Sequence, residues 1–413
     1  MPELLSPAGN FEKLQAAVLY GADAVYLAGR MFGMRAAADN FSTEELREAV
    51  AYAHARGVRV YLTVNVMPRE HEYALLRQYL EDLKDIPVDA LIVADLGVFA
   101  LAKEVLPHVA LHISTQANVV SAATCRAYAA LGAARIVLAR ELTLDEIKRI
   151  RQTVPDIELE TFIHGSMCIS YSGRCLLSNF FTGRDGNRGM CTQPCRWHYS
   201  LKGHYELVEE KRPNQPIPIE EINGETFFMS SCDTCMIEHI PALIDAGIDS
   251  LKIEGRMKSA YYTAVVTNTY RMALQAHAAG DYAFDPAWKT ELESVSHRPY
   301  HTGYYFDQAG REANVTDCSG YLRENAYLAV VLAYDEETGV ALLQQKNKFS
   351  AGDAVAVLTP GKIGVPMQAG EMWNAEHEPI TAVPHPQMKF YMKAAFPLKP
   401  GDIIRAAESD RAL

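Results

Sequence analysis

Eight times before residue 255 the chain repeats one theme, a short apolar β-rich run followed by an amphipathic stretch. The runs are Glu3–Ser6, Ala24–Ala28, Arg59–Val64, Ala90–Ala94, Ala110–Ser114, Arg135–Ala139, Glu158–Ile163 and Ser250–Glu254. Their continuous apolar character suits strands buried on both faces, as in a parallel sheet. Helix signals lie between them. Ser42-Thr43-Glu44-Glu45 and Thr143-Leu144-Asp145-Glu146 read as capping boxes. Gly21, Gly57, Gly132 and Gly247 each stand where a helix would end before the next strand. Eight units in about 250 residues is the size of a (β/α)8, TIM-like barrel. An open doubly wound sheet shares this periodicity, which does not by itself establish closure.

The repeat is interrupted after the seventh run. Residues 165–226 are rich in Gly, Arg and Cys, and a short run, Phe227–Ser230, then leads to Cys232 and a helix through Ala246. This stretch is expected to form a cap over the barrel mouth, with a ninth strand at Phe227–Ser230 as the alternative. Ser259–His277 is helical by pattern. From about residue 319 the texture changes to short β runs, Ala326–Tyr334, Val340–Gln345, Ala354–Leu358 and Met388–Ala394, separated by Gly- and Asp-containing turns. The expected architecture is α/β: a TIM-like barrel over 1–280 with a cysteine-rich insertion at 165–235, a connecting segment 281–318, and a small antiparallel β-barrel over 319–413 that binds or positions rather than catalyses.

Chemistry in such a barrel gathers at the C-terminal strand ends. Those positions hold Asn65, Asp95, Gln116, Arg140, Glu141, His164, Glu254 and Arg256. So polar a ring suits an active site, although any one member can equally cap a strand or pair across a loop. No apolar run is long enough to span a membrane, and the N-terminus lacks a basic segment followed by an apolar one; a cytoplasmic protein is expected. The net charge of −12 argues against broad nonspecific nucleic-acid binding, but leaves room for a local basic site.

Cys168, Cys175, Cys191, Cys195, Cys232 and Cys235 lie close in sequence, while Cys125 and Cys318 stand apart. In a reducing compartment, clustered thiols point to a metal or to redox chemistry. Four converging thiolates suit zinc or an iron–sulfur cluster. The tight pairs Cys191/Cys195 and Cys232/Cys235 are compatible with zinc. Cys168 and Cys175 directly follow a barrel strand, at the catalytic end, where a purely structural metal is less expected. Cys125 alone reads as a buried small hydrophobe.

The segment Glu160-Thr161-Phe162-Ile163-His164-Gly165-Ser166-Met167-Cys168, continuing to Cys175 and Ser178, resembles the signature of the U32 "peptidase" family without a departure. Ser6-Pro7-Ala8-Gly9, Cys191-Thr192-Gln193-Pro194-Cys195-Arg196, Lys252-Ile253-Glu254-Gly255-Arg256-Met257-Lys258 and Ser296-His297-Arg298 look like further family blocks, so the resemblance covers roughly 3–305. The C-terminal β segment resembles the small barrel of longer members. The resemblance implies oxygen-independent hydroxylation, of a quinone precursor or of RNA pyrimidines at C5, with prephenate as the hydroxyl source. It also implies a [4Fe–4S] cluster on Cys168, Cys175, Cys191 and Cys232, with Cys195 competing for the fourth place because one branch of the family uses a Cys-x3-Cys pair. One barrel plus a small C-terminal barrel most resembles the prephenate-dependent tRNA uridine hydroxylases that act on the wobble uridine.

Other function classes were weighed against the residues. A protease lacks support: there is no His-Glu-x-x-His helix and no Gly-x-Ser-x-Gly elbow, and a nucleophile Cys168 with base His164 would not need five companion thiols. A cluster- or zinc-stabilised RNA-binding module without activity would not need a polar barrel mouth. RNA modification finds a local excess of positive charge, Arg174, Arg184, Arg188, Arg196 and Lys202 against Asp185. Phe180, Phe181, Trp197 and Tyr199 interleave with it, and such rings can stack an unpaired base. The alternative is that these arginines pair with barrel carboxylates and the rings fill the cap. The expected site therefore has Lys252 and Arg256 on the carboxylates of prephenate, Glu254 or His164 moving protons, and Gln116, Asn65, Arg184 and Arg188 contacting substrate.

Overall fold

The computed structural model describes residues 1–34, 39–197, 221–222, 225–226, 230–280, 282–306, 314–315 and 325–407. Tyr199, Lys202, Cys318 and all of the Phe227–Ser230 run but Ser230 lie outside the described residues.

Seven strands lead the chain: β1 (Glu3–Pro7), β2 (Ala24–Leu27), β3 (Arg59–Val64), β4 (Ala90–Val93), β5 (Ala110–Ile113), β6 (Arg135–Val137) and β7 (Glu158–Ser166). Then come β8 (Asp233–Cys235), β9 (Ser250–Ile253) and β10 (Tyr300–His301). Strands β1 to β7 pair in sequence order, all parallel, and β9 pairs in parallel with both β1 and β7. That second pairing closes the barrel and excludes the open sheet. Local signals explain the intervening helices. Ser42 and Thr143 each complete a capping box, with Glu45 and Glu146, at the starts of Thr43–His54 and Leu144–Thr153. Gly21, Gly57, Gly132 and Gly247 all take positive φ after a helix, a conformation that costs glycine nothing.

The lumen departs from the expected apolar filling. Arg135 Nη1 on β6 donates to Glu3 Oε1 on β1 at 2.6 Å and to Glu160 Oε2 at 3.1 Å. Because β6 and β1 are not neighbours in the sheet, the first bond crosses the barrel. Tyr61 donates to Glu3 at 2.7 Å, Ser250 Oγ to Glu3 at 2.8 Å, and Lys252 Nζ to Glu160 Oε1 at 2.7 Å. Two buried carboxylates thus face two buried cations, and the cluster of Leu5, Ala24, Tyr26, Tyr61, Ala90 and Ile92 packs beside them, with Tyr61 bonded to Glu3 and the Tyr26 ring against Lys252. Burial alone would raise the Glu160 carboxyl, but Lys252 and Arg135 outweigh it and hold it below its ordinary value. The strands are buried on both faces, as expected, yet Glu3, Arg135, Glu160 and Lys252 bring charge into their interior.

At the mouth, β7 outlasts its neighbours by running to Ser166. This extra length carries β8, antiparallel, with Asp233 opposite Ser166 and Cys235 opposite His164, and β10 pairs with β8 in turn. The sheet therefore rises above the barrel on one side, next to the start of the cap.

The chain divides into two compact units, and the boundaries differ from those expected. The first holds the barrel strands, the cap and the return of the chain from His297. The second holds the helices Ala260–Ala278 and Pro286–Glu293 with the C-terminal sheet. The long helix belongs with the second unit because its polar groups are spent there: Tyr261 OH accepts from Arg405 Nη1 at 2.8 Å, and Asn268 Nδ2 donates to Lys362 O at 2.7 Å. Eight antiparallel strands form the C-terminal sheet, curled around one core that includes Leu343, Val355, Phe390 and Ile404.

Candidate active site at the barrel mouth

His164 ends the regular part of β7 and is 1% exposed. Burial pulls its imidazole down to about 3, so it is neutral throughout the physiological range. Its Nε2 lies 3.5 Å from the Tyr300 hydroxyl, and the Tyr300 ring stacks on His297 at 4.3 Å between centroids. Tyr300, half-buried on β10, is the more accessible end of this chain of groups. Glu254, just past β9, donates its backbone N–H to His164 O at 2.9 Å. Arg256 follows and is buried. Its carbonyl accepts from Lys13 Nζ at 3.2 Å, and a Cβ on Gly9 would strike that same oxygen. This close approach is a physical reason for glycine in the Ser6-Pro7-Ala8-Gly9 block.

Lys252 lies deeper than expected, in the lumen, with its ammonium on Glu160 and 4.4 Å from the Tyr26 ring centroid. Burial lowers its pKa and Glu160 opposes that shift. Asn65 Oδ1 accepts the Met34 N–H at 3.0 Å, so it holds a loop at the mouth. Gln116 is buried, and its Oε1 has no hydrogen-bond partner among the described residues. Arg140 stacks at 3.9 Å from the Phe162 ring centroid and donates Nη1 to Ser166 O at 2.7 Å, while its buried Nε has no partner among the described residues. Near the strand ends, Gln116 and Arg140 thus each keep a buried polar atom without a partner among the described residues. Such groups are costly to leave unmet in the absence of water or substrate.

The cap is tied to the barrel by polar side chains. Asn118, in the left-handed region at φ 52°, donates Nδ2 to Ser172 O at 2.8 Å and accepts Arg174 Nε at 2.7 Å. Asn187 donates to Cys175 O at 3.0 Å, and Arg188 Nη2 pairs with Glu72 at 2.6 Å. Part of the basic patch is therefore spent on barrel groups, whereas Arg184 is exposed. The aromatics do not fill the cap. Phe180 is 81% exposed and Phe181 48%, with the Phe181 and Trp197 centroids 6.1 Å apart.

Cys168 and Cys191 are exposed, Cys175 and Cys195 half-buried, and Cys232 and Cys235 buried. Burial pushes the Cys195 thiol up, and Arg196 opposes this. Cys168 and Cys232 line one cleft of about 60 Å³, with Asp233, Thr234, His301 and Tyr304. Among the described residues no three His, Cys, Asp or Glu stand close enough to hold a metal ion. The donor set is nonetheless the soft, thiolate-rich kind that iron–sulfur clusters and zinc require.

Asp233, Arg298, Tyr300 and Tyr304 were not singled out from the sequence as site residues. They reach the mouth only because β8 and β10 extend β7, a tertiary event with no local signal beyond the Ser296-His297-Arg298 block.

The model of the peptidase family U32 matches residues 9–315, and that of the U32 C-terminal domain matches 323–405. A Bacillus subtilis protein called tRNA hydroxylation protein P1 is 38% identical over 98% of this chain and 94% of its own length. Escherichia coli tRNA hydroxylation protein P is 35% identical over 92% of this chain and 91% of its own. A Porphyromonas gingivalis protein called collagenase is 32% identical over 87% of this chain and 86% of its own.

Proposed function

The chain belongs to peptidase family U32, and from that premise and the make-up of the barrel mouth we propose that it is an RNA-modifying enzyme that hydroxylates C5 of the wobble uridine of tRNA. The observation that carries this reading is the exposed aromatic surface of Phe180, Phe181 and Trp197, with Arg184 beside it, on a cap that starts at the catalytic end of a closed barrel. Solvent-facing aromatics next to a cation suit an unpaired base and its phosphate. An anticodon base is already unpaired and enters a pocket at little cost. The near full-length similarity to proteins named for tRNA hydroxylation supports the same choice.

Prephenate is the proposed hydroxyl source. Its carboxylates are best met by Arg256 and Arg140, whose planar forks bind carboxylate in pairs of bonds. Lys252 serves from below by fixing Glu160 and keeping the lumen neutral. Gln116 Oε1 and Arg140 Nε offer an acceptor and a donor for the substrate's polar edges. His164 is neutral, so it accepts or relays a proton at Nε2 through Tyr300 rather than acting as an acid by itself. Glu254 is the second candidate for moving protons near the reacting carbon. Cys168, Cys175 and Cys191 would hold a [4Fe–4S] cluster, with Cys232 or Cys195 as the fourth ligand; when bound it would supply electron transfer or a Lewis-acid iron.

The peptidase reading has the name of the Porphyromonas relative in its favour. The geometry gives it little, since the imidazole that would activate Cys168 is buried, lies 3.5 Å from the Tyr300 hydroxyl at Nε2 and is neutral.

Binding of the full-length protein to tRNA tests the proposal. Affinity should fall steeply with salt. Phe180→Ala with Trp197→Ala should cost about 1–3 kcal/mol per stacked base without changing the salt slope, whereas Arg184→Glu should reduce that slope. Unchanged affinity in all of these variants would remove the cap from RNA recognition.

A further inference from the structure

The carbonyl oxygen of Met167, the residue before Cys168, accepts from three side chains that arrive on separate segments. Ser231 Oγ lies at 2.8 Å, Arg196 Nη2 at 3.3 Å and Arg298 Nη2 at 3.3 Å. Ser231 precedes Cys232, and Arg196 follows Cys195. Three thiol-bearing segments therefore meet at one backbone oxygen, more donors than such an acceptor ordinarily collects.

Arg298 is the member of this junction that holds the others. It is 2% exposed and fixed on Asp233, the residue after Cys232. Nε and Nη2 reach Asp233 Oδ1 at 2.9 and 2.7 Å, the Arg298 backbone N–H reaches Oδ2 at 3.1 Å, and Nη1 reaches Ser231 Oγ at 3.5 Å. The Asp233 N–H donates in turn to Pro299 O at 3.0 Å. One planar guanidinium thus spans from the residues on either side of Cys232 to the residue before Cys168. A lysine ammonium, a compact point charge, lacks the fork needed for that span.

We propose that Arg298 is a positioning residue for the thiol site: it ties the carbonyl before Cys168 to the side chains that flank Cys232 and so sets the spacing of those two sulfurs before any metal arrives. The consequence for metal retention rests on the cluster reading above, while the locking itself does not. Groups one step removed from ligands commonly orient them in this way. The arrangement also explains why the return of the chain at His297 belongs with the barrel unit.

The test uses the full-length protein, reduced and freed of metal, and measures alkylation of each cysteine by iodoacetamide with peptide mass spectrometry. Cys232 and Cys125 are both buried in the native protein, so both should react slowly. In Arg298→Met, Cys232 should react at least about tenfold faster, because charge-assisted bonds that keep its segment closed are gone. Cys125, on the helix Ala122–Leu131, should not change. Ser231→Ala should shift Cys232 in the same direction by less, and Arg298→Lys should fall between Met and wild type. After anaerobic reconstitution with iron and sulfide, Arg298→Met should retain iron about 10- to 100-fold more weakly than wild type. A Cys232 rate within about twofold of wild type overturns the proposal. Equal acceleration of Cys125 and Cys232 overturns it too, since Arg298 would then support the whole barrel. Wild-type protein that takes up no iron would sink the cluster reading and leave the alkylation result to decide the positioning role.

Discussion

Arg135→Met should strip the barrel lumen of the cation that faces two buried carboxylates. In the native protein Arg135 is 2% exposed and bonds Glu3, Glu158 and Glu160; Glu3 and Glu160 are themselves buried. Methionine fills a similar stem volume but leaves the Glu160 carboxylate to Lys252 alone and removes the cross-barrel bond to Glu3. Breaking one side of such a buried set costs about 3–5 kcal/mol, a large share of a typical folding stability of about 5–15 kcal/mol. The pH dependence should also weaken. Glu160 is held below its ordinary value in the native protein, so its contribution is present above the unfolded carboxylate pKa and is lost as pH falls through the folded one. Without Arg135 the folded carboxyl moves up toward its unfolded value, so less stability rests on this group and less is lost on acidification. Hydrogen exchange of β1, β6 and β7 peptides, read from neutral pH down through the carboxylate range, measures both effects locally, which matters in a chain of two units where a single unfolding midpoint is poorly defined. The double variant Arg135→Met, Glu160→Gln should recover part of the loss. A destabilisation below about 1 kcal/mol, or a native-like pH slope, would refute the reasoning that the lumen is an obligatory ionic set.

Because burial pulls His164 down to about 3, it should contribute no limb to an activity profile between pH 5 and 8; an inflection near the ordinary histidine value that vanishes in His164→Gln would contradict this placement. The fourth cluster ligand can be decided by iron content of anaerobically purified variants. Cys232→Ser is expected to lose the iron and Cys195→Ser to keep most of it, and the reverse result would assign the ligand to the Cys191/Cys195 pair.

Much of this architecture was legible because its signals are local. The eight barrel strands fall within one to three residues of the apolar runs, Arg59–Val64 without any shift, and both capping boxes form. β7 ran three residues past the expected end at Ile163, since Gly165 and Ser166 look like loop and are held in the sheet only by β8. The ionic lumen was missed for a different reason. Glu3, Arg135, Glu160 and Lys252 each occur singly in a short run, and only closure brings them together. In the C-terminal unit Val340–Gln345 and Ala354–Leu358 match their runs. Val365–Gln368, with Pro366 inside it, and Ile403–Ala406, behind a turn, did not read as strands. The helix Pro286–Glu293 was passed over although Asp285 caps it and proline occupies its first turn. At the site, the sequence pointed to the thiols, to His164 and to the strand-end polar ring. It could not distinguish Lys252 in the lumen from Arg256 at the mouth, two strand-adjacent cations four residues apart. Nor could it announce Asp233, Arg298 and Tyr300, whose place depends on a pairing between distant segments.

The central claim is that this chain hydroxylates a tRNA base, and mass spectrometry of nucleosides tests it most directly. Transfer RNA and ribosomal RNA would be compared from cells with the gene, without it, and with the Cys168→Ala variant in its place. The account predicts that 5-hydroxyuridine derivatives at the wobble position disappear on deletion, return with the wild-type gene and stay absent with Cys168→Ala. Unchanged tRNA hydroxylation in the deletion strain, whether ribosomal RNA, a quinone or an unprocessed peptide changes instead, would contradict it.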